Sequence, residues 1–184
     1  MTELVVLLDA AGIPIGSADK ATVHTADTPL HLAFSCHVRN RRGQVLVTRR
    51  ALSKSAWPGI WTNAFCGHPA PGELLTDAVA RRARDELGLR VYDARVVLPD
   101  FRYEAVDVNG IRENEVCPVF EAVTDDEPQA HPDEVADYRW VESADLDAAL
   151  AHAPWAFSPW LVWQAEQLAQ RSEGQRITER GASR

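Results

Sequence analysis

A cysteine and a histidine stand two positions apart in a segment whose side chains could carry out acid–base or metal chemistry. Cys66 and His68 lie within residues 62–69, which read TNAFCGHP. A thiol gives or takes a proton, an imidazole titrates near neutrality, and both bind metal ions. The alternative for Cys66 is a small buried hydrophobe, as most free cysteines are. Its position between a predicted strand and a predicted helix, close to His68, favours a functional role.

Two carboxylates and three imidazoles form a second set of candidates, for metal binding. Glu113 and Glu115 are two positions apart, so on a strand they face the same way. Carboxylates this close in a dry site repel each other unless a cation joins them. With His24, His31 and His68 they offer nitrogen and oxygen donors that suit Zn²⁺, Mn²⁺ or Mg²⁺. The alternative, a solvated strand face with surface histidines, fits the glutamate pair alone better than all five residues together.

The remaining cysteines and histidines lack such a context. We interpret Cys36 and Cys117 as core residues, and His37, His131 and His152 as structural or surface residues.

The segment after His68 predicts an amphipathic helix over residues 73–87, which Gly88 ends. One apolar side chain recurs every four residues, which places four on one face: Leu75, Val79, Ala83 and Leu87. Arg82 and Glu86 are also four apart and are predicted to pair. An amphipathic helix that serves only packing and solvation is the alternative to a functional one.

This helix resembles part of the Nudix box, a motif whose helix binds a metal–diphosphate. The spacing of Gly, five residues, Glu, seven residues and Arg begins at Gly67. The chain then departs from the motif, because Arg82 and Asp85 stand where glutamates are usual and only Glu86 is unchanged. Fewer carboxylates hold fewer metal ions. The departure argues against the usual hydrolytic arrangement but allows one Mg²⁺ on a diphosphate.

Further motifs make the chain similar to the type 1 isopentenyl-diphosphate Δ-isomerases, a family with the Nudix fold. The matching stretches follow the family's order: residues 24–27 (HTAD), 31–35 (HLAFS), 48–54 (TRRALSK), 62–69, 113–117 (ENEVC) and 155–160 (WAFSPW). Each motif alone is weak, but together they are specific. The resemblance implies an enzyme of isoprenoid precursor biosynthesis that converts isopentenyl diphosphate to dimethylallyl diphosphate. A Nudix hydrolase of nucleoside or other diphosphates, or a noncatalytic metal- or ligand-binding module, are the alternatives.

The resemblance also implies roles for four catalytic residues. Moving an unactivated double bond requires a proton added at one carbon and another removed two carbons away, through a carbocation-like intermediate. Cys66 and Glu115 would be the two proton-transfer groups, in either order. The Trp160 ring would stabilise the cation, and Tyr103 matches an active-site tyrosine. A two-residue hairpin turn at Asn109-Gly110, however, would place Tyr103 on the face opposite to Glu115, so either the loop is longer or bulged, or Tyr103 does not belong to the site.

The ligands of the diphosphate and of the metals follow from the same resemblance. Four basic residues match or neighbour the phosphate-binding positions: Lys20, Arg50, Lys54 and Arg82. Singly, each basic residue is more often a solvated surface charge. Glu86 and the backbone carbonyl of Cys66 would share a Mg²⁺ with the phosphates. A second divalent ion, Mn²⁺, Zn²⁺ or Mg²⁺, would be bound by five side chains: His24, His31, His68, Glu113 and Glu115.

Composition and element order predict one α+β domain. The 184 residues are 46% hydrophobic and carry a net charge of −8, which favours a small-molecule substrate over nucleic acid or an anionic membrane. Apolar runs are shorter than the roughly 18 residues of a membrane span, and three cysteines without a secretory segment favour a cytoplasmic enzyme. We predict a single Nudix-like catalytic domain over residues 1–170 and a flexible polar tail over residues 171–184. A monomer and a dimer both fit.

Strands and helices are expected in an order typical of an α/β/α sandwich, a mixed sheet with flanking helices. The predicted strands span residues 4–8, 31–39, 44–48, 60–65, 91–98, 101–106, 113–123 and 138–141. The predicted helices span residues 73–87, 145–152 and 159–170, besides a short, ambiguous segment at residues 19–24.

Overall fold

The structure, a computed structural model, describes residues 3–182, and side chains as far as residue 171. The strands are β1 (Leu4–Leu8), β2 (Pro14–Asp19), β3 (His31–Leu32), β4 (Phe34–Arg39), β5 (Val45–Arg50), β6 (Trp61–Thr62), β7 (Phe65–Gly67), β8 (Tyr92–Leu98), β9 (Arg102–Val106), β10 (Arg112–Val116), β11 (Val119–Val123) and β12 (Val135–Val141). The helices are α1 (Lys20–Val23), α2 (Leu75–Leu87), α3 (Ser143–His152) and α4 (Pro159–Ala182), with a 3-10 turn at Pro154–Ala156.

The strands form two mixed sheets. The first sheet has the order β2-β1-β3-β10-β9, and the second has the order β12-β5-β4-β11-β8, with β6 and β7 added to β5 and β4. Strand β3 runs parallel to β10, and β4 runs parallel to β11, while the other strand pairs are antiparallel. The predicted α+β architecture is confirmed.

Two segments that the sequence predicts as single strands each change sheets halfway. The predicted strand over residues 31–39 is interrupted at Ala33, and the one over residues 113–123 is interrupted at Cys117 and Pro118. The two breaks lie side by side, because Ala33 N donates to Val116 O and Ser35 N donates to Pro118 O. Proline lacks a ladder donor, which accounts for the second break. Periodicity does not detect the first.

The second sheet lies between α2 and the pair α3 and α4. Alternate side chains of β5 separate into two cores: Leu46 packs in the cluster that contains α2, whereas Val45 and Val47 pack with Leu146 and Leu161. This alternation follows from the two-residue period of a strand. It produces the predicted helix–sheet–helix layering.

The hairpin between β9 and β10 forms at the predicted Asn109-Gly110 signal, with a loop longer than two residues. Val106 pairs with Arg112, and the loop between them is held by the Asp107 carboxylate, which accepts from the backbone N–H groups of Asn109 and Ile111. Gly110 has φ +80° there, a conformation in which glycine avoids a steric penalty. Of the alternatives that the sequence leaves open, the structure has the longer loop, because the signal locates a turn without giving its length.

Other boundaries differ more modestly from the predictions. Strand β2 was not predicted, and residues 60–65 contribute to two short strands instead of one. Helix α4 extends to Ala182, beyond the predicted end near Gln170. Residues 183 and 184 of the predicted tail lie outside the described residues, and the division into a domain and a tail stays a prediction. Within residues 3–182, none of the helices is both long and apolar enough to cross a membrane.

Gly67 packs where a larger residue has no room. A methyl group at this position would lie 2.7 Å from Arg82 Cγ and 3.0 Å from a ring carbon of Phe34. Because the Phe34 ring is fully buried, Gly67→Ala is expected to lower the free energy of unfolding by about 1–3 kcal/mol. Urea unfolding monitored by fluorescence measures this change. The control Ala70→Ser adds one atom at an exposed position and should stay within about 0.5 kcal/mol; equal stability of both variants would contradict the tight packing.

Candidate active site and metal centre

Three histidines and one glutamate converge from four elements at the end of the first sheet. Glu115 on β10 is in register with His31 on β3, His68 follows β7, and His24 follows α1. One nitrogen or oxygen atom of each lies within 4.8 Å of the others. His31 Nε2 is 3.1 Å from His68 Nε2, and Glu115 Oε1 is 3.2 Å from His68 Nε2. Four such atoms facing one point form the donor set of a cation site.

The hydrogen bonds around the cluster leave donor atoms for a cation. His31 Nδ1 lies 2.9 Å from the carbonyl oxygen of Pro29, so the proton belongs on Nδ1 and the Nε2 lone pair points into the cluster. Glu113 Oε2 is buried and lies 3.3 Å from His24 Nε2, within ion-pair distance, but among the described residues it forms no hydrogen bond. A buried orphan oxygen is costly. A divalent cation bound here would remove that cost, so the residues fit a metal.

Burial and pairing hold the cluster in the protonation states that a metal requires. Burial opposes ionisation of Glu115, but hydrogen bonds with His31 and His68 outweigh it and hold its pKa well below the usual value. Burial lowers the pKa of His68 to about 4, so this imidazole is neutral at pH 7. Burial raises the pKa of Glu113, and the neighbouring Glu115 adds to the increase. A bound cation would oppose the rise in the pKa of Glu113, because it favours both carboxylates in their ionised forms.

Cys66 lies beside this cluster on β7, and its sulfur contacts two buried polar side chains. Sγ is 3.2 Å from Ser35 Oγ and 3.5 Å from Asn63 Oδ1. Burial raises the pKa of the Cys66 thiol to about 12, although the Ser35 hydrogen bond opposes the increase. The resting residue is therefore a protonated thiol rather than a free thiolate.

Two aromatic side chains from different elements, Tyr103 and Trp160, line the site next to Glu115. Tyr103 is the direct register partner of Glu115, because the longer hairpin loop shifts the pairing by one residue from what a two-residue turn would give. Its ring centroid is 5.7 Å from that of Trp160. Trp160 is 2% exposed and comes from the first turn of α4. The structure thus places Tyr103 on the same face as Glu115, which the sequence analysis had called into question.

Asn63 is a site residue that the sequence analysis did not select. Its side-chain oxygen accepts a hydrogen bond from Trp160 Nε1 at 3.1 Å and faces the Cys66 sulfur. Its amide nitrogen donates to the backbone oxygens of Cys36 and Phe65, which anchors the side chain. An asparagine between two short strands reads as a turn residue, so pattern alone gives little reason to choose it.

Three of the four predicted phosphate-binding cations are already paired with carboxylates. Lys20 contacts Glu3, Lys54 forms an ion pair with Glu134, and the Arg82 guanidinium contacts Glu86 and Glu134. Arg82 thus pairs with Glu86 as the helical spacing predicts. Burial raises the pKa of Glu86, while Arg82 opposes this.

Arg50 differs from the other three basic residues, because it has no carboxylate partner in the described part of the chain. Its guanidinium donates to the backbone oxygens of Ala56 and Trp57. Its central carbon lies 5.7 Å from the centroid of the Trp160 ring. Arg50 therefore links the predicted phosphate-binding residues to the Trp160 ring.

Comparison with known proteins places this site in a family. A profile described as NUDIX domain matches residues 29–161. Curated relatives named isopentenyl-diphosphate Delta-isomerase include a protein of Agromyces mediolanus that is 63% identical over 90% of this chain and 81% of its own. Another, from Kocuria rhizophila, is 59% identical over 92% of this chain and 94% of its own. A third, from Escherichia coli O17:K52:H18, is 58% identical over 89% of this chain and 90% of its own.

Solved structures agree on the fold. DR0079 from Deinococcus radiodurans superposes with a TM-score of 0.69 at 20% identity and covers 90% of this chain and 99% of its own. A MutT protein from Methanosarcina mazei gives a TM-score of 0.60 at 19% identity, over 78% of this chain and 96% of its own. Likeness at this identity establishes the fold alone. Together with the matched domain and the close relatives, it shows that the chain belongs to the isopentenyl-diphosphate Delta-isomerase family of NUDIX domain proteins.

Proposed function

We propose that this enzyme converts isopentenyl diphosphate to dimethylallyl diphosphate, and that Cys66 and Glu115 exchange the protons. The observation that carries the proposal is the position of Cys66 and Glu115 on the separate strands β7 and β10, where Cys66 packs in the cluster of Tyr103 and Trp160 and Glu115 pairs with Tyr103. An alkene is a very weak base, so the acid that protonates it must be held close and away from water. A partly buried thiol and a buried carboxylate in an aromatic pocket meet that requirement.

The proton balance requires two groups. One group adds a proton to the terminal carbon, which leaves a tertiary cation, and the other removes a proton two carbons away. Cys66 and Glu115 share these two roles between them. The double bond moves with no net oxidation or reduction, so no organic redox cofactor is implied.

The aromatic rings supply negative potential without a nucleophile. A ring face attracts a cation within about 6 Å, and the Trp160 face already has the Arg50 guanidinium at 5.7 Å. We assign Trp160 to stabilising the carbocation. Tyr103 closes the pocket beside it, and burial raises the pKa of this phenol well above its usual value, so the ring stays neutral.

We assign the His/Glu cluster to a divalent ion, Zn²⁺, Mn²⁺ or Mg²⁺. Its ligands would be His24, His31, His68, Glu113 and Glu115. When bound, the ion would restrain the charge and position of the Glu115 carboxylate.

A separate Mg²⁺ would accompany the diphosphate, held by Glu86 and the backbone carbonyl of Cys66. Lys20, Arg50, Lys54 and Arg82 would bind the phosphate oxygens. Because Lys20, Lys54 and Arg82 are paired with carboxylates, diphosphate binding would exchange some of these partners for phosphate.

A hydrolytic reaction is less compatible with this site. Arg82 and Asp85 replace two usual box glutamates, and fewer carboxylates hold fewer metal ions. We further propose a cytoplasmic enzyme with a small-molecule substrate, as either a monomer or a dimer.

Replacing the thiol tests the proposed role of Cys66. Cys66→Ser is expected to lower kcat by roughly 10²–10⁴-fold, because a hydroxyl is a much poorer proton donor and acceptor here. Turnover of isopentenyl diphosphate measures the loss. The control Cys36→Ala removes a thiol from the core cluster that contains α2 and should reduce stability while kcat changes little. Near-normal turnover by a folded Cys66→Ser variant would remove Cys66 from the mechanism.

Metal stripping and replacement test the His/Glu cluster. Chelator-treated protein should regain thermal stability when Zn²⁺, Mn²⁺ or Mg²⁺ is added, since an ion at 100 times its Kd stabilises the native state by about 2.7 kcal/mol. Differential scanning calorimetry measures the change in Tm.

The matched variants are His31→Gln in the cluster and His152→Gln at an exposed position of α3. His31→Gln should lose most of the metal-dependent rise in Tm, whereas His152→Gln should keep it. An equal rise in both variants would show that the ion binds elsewhere.

A further inference from the structure

A line of buried polar side chains extends from the Cys66 sulfur along the face of the second sheet that α4 covers. Ser35 Oγ is 3.2 Å from Cys66 Sγ, Gln164 Nε2 is 2.8 Å from Ser35 Oγ, and His37 Nε2 is 2.9 Å from Gln164 Oε1. Ser35 and Gln164 are fully buried, and His37 is 7% exposed. The line therefore makes its contacts inside the protein, away from solvent.

Secondary structure explains how these side chains meet. Ser35 is the register partner of Cys66 across β4 and β7. His37 is two residues further along β4 and faces the same side. Gln164 lies one helical turn after Trp160 on α4, so both side chains face the active site. The helix that carries the aromatic ring thus also carries the amide.

The amide of Gln164 is costly to bury at this position. Gln164 lies between buried apolar residues such as Leu161 and the cluster around Trp160. A buried amide costs free energy unless its hydrogen bonds are made, and an apolar residue of similar size would pack here without that requirement. The network therefore suggests a specific task beyond packing.

Donors and acceptors can be assigned along the line from Gln164. Gln164 donates its N–H to Ser35 Oγ and accepts at Oε1 from the His37 ring. One lone pair of Ser35 Oγ is thereby occupied, which leaves the hydroxyl hydrogen free to be donated to sulfur, either to Cys66 or to Cys117, whose Sγ is 3.4 Å away. On its other side, the Cys66 sulfur faces Asn63 Oδ1 at 3.5 Å, an acceptor for the S–H proton.

We infer that Ser35, oriented by Gln164, is a positioning residue that holds the Cys66 thiol in place for proton transfer. The inference depends on the proposed role of Cys66. When the S–H bond breaks and a C–H bond forms, the electron pair stays on sulfur. The Ser35 hydroxyl then donates a hydrogen bond to the charged sulfur and keeps its own proton. The same hydrogen bond holds the sulfur when the proton moves in the reverse direction.

The test compares Ser35→Ala, Gln164→Met and their double variant. A hydrogen bond to a charged group is lost in Ser35→Ala, so kcat should fall by roughly 10- to 100-fold, while KM for isopentenyl diphosphate changes by less than about twofold. Gln164→Met should lower kcat by about 10-fold, because the hydroxyl is no longer oriented. The double variant should be no slower than Ser35→Ala, since both changes remove the same contact.

Two further readouts separate positioning from general destabilisation. The solvent deuterium isotope effect on kcat should increase in Ser35→Ala, because proton transfer then limits turnover. The control Thr124→Val removes another fully buried hydroxyl, which bonds Arg90 O on the far side of the sheet. It should reduce stability with kcat within about twofold. If Ser35→Ala does not fold, kcat and the solvent isotope effect are measured for Gln164→Met instead.

Two results would overturn the inference. One is a folded Ser35→Ala variant with kcat within twofold of wild type, and the other is an additive loss of kcat in the double variant. The Cys66→Ser variant distinguishes failure of the inference about Ser35 from failure of the proposed function. An inactive Cys66→Ser variant beside a normal Ser35→Ala variant removes only the positioning role, whereas an active Cys66→Ser variant removes the role of Cys66 itself.

Discussion

The site depends on two neighbouring strand segments that pass from one sheet to the other side by side. Backbone hydrogen bonds from Ala33 to Val116 and from Ser35 to Pro118 hold the crossing together. Before it, His31 and Glu115 are paired in the first sheet. After it, β4 carries Ser35 against β7 in the second sheet. A single backbone constraint thus places the metal ligands and the thiol side by side while each belongs to a well-packed sheet.

The buried carboxylate of Glu115 adds an electrostatic requirement to this geometry. An ionised group in a dry interior is tolerated only with partners, and removing one partner of such a group typically costs about 3–5 kcal/mol. His31 and His68 are those partners among the described residues. Glu113 Oε2 still forms no hydrogen bond within the part of the chain that the structure describes, so these residues leave the cluster incompletely satisfied. A divalent cation is the group that would complete it, and this explains why two acids are kept in so dry a place.

Much of the site could be predicted from local patterns. The two-residue spacing of Glu113 and Glu115 and the four-residue spacing of Arg82 and Glu86 both give the faces that the structure shows. These predictions hold because they depend only on the periods of a strand and a helix. The assigned roles of the residues go further and stay proposals.

Other features depend on the tertiary fold and leave little trace in the sequence. The length of the loop around Asn109-Gly110 decided the position of Tyr103, and a turn signal gives no length. Asn63 and Gln164 are ordinary polar residues until the fold places them against Trp160 and Ser35. The pairing of Lys54 with Glu134 joins residues 80 positions apart. Pattern analysis detects neighbours along one element, so contacts between elements of this kind require the structure.

Proton NMR of the purified protein with isopentenyl diphosphate and Mg²⁺ in D₂O tests the central claim most directly. The proposed mechanism requires dimethylallyl diphosphate to appear with deuterium incorporated, because the added proton comes from a group that exchanges with solvent. Unchanged substrate after addition of Mg²⁺, Mn²⁺ and Zn²⁺, or release of phosphate in place of the isomer, would contradict it.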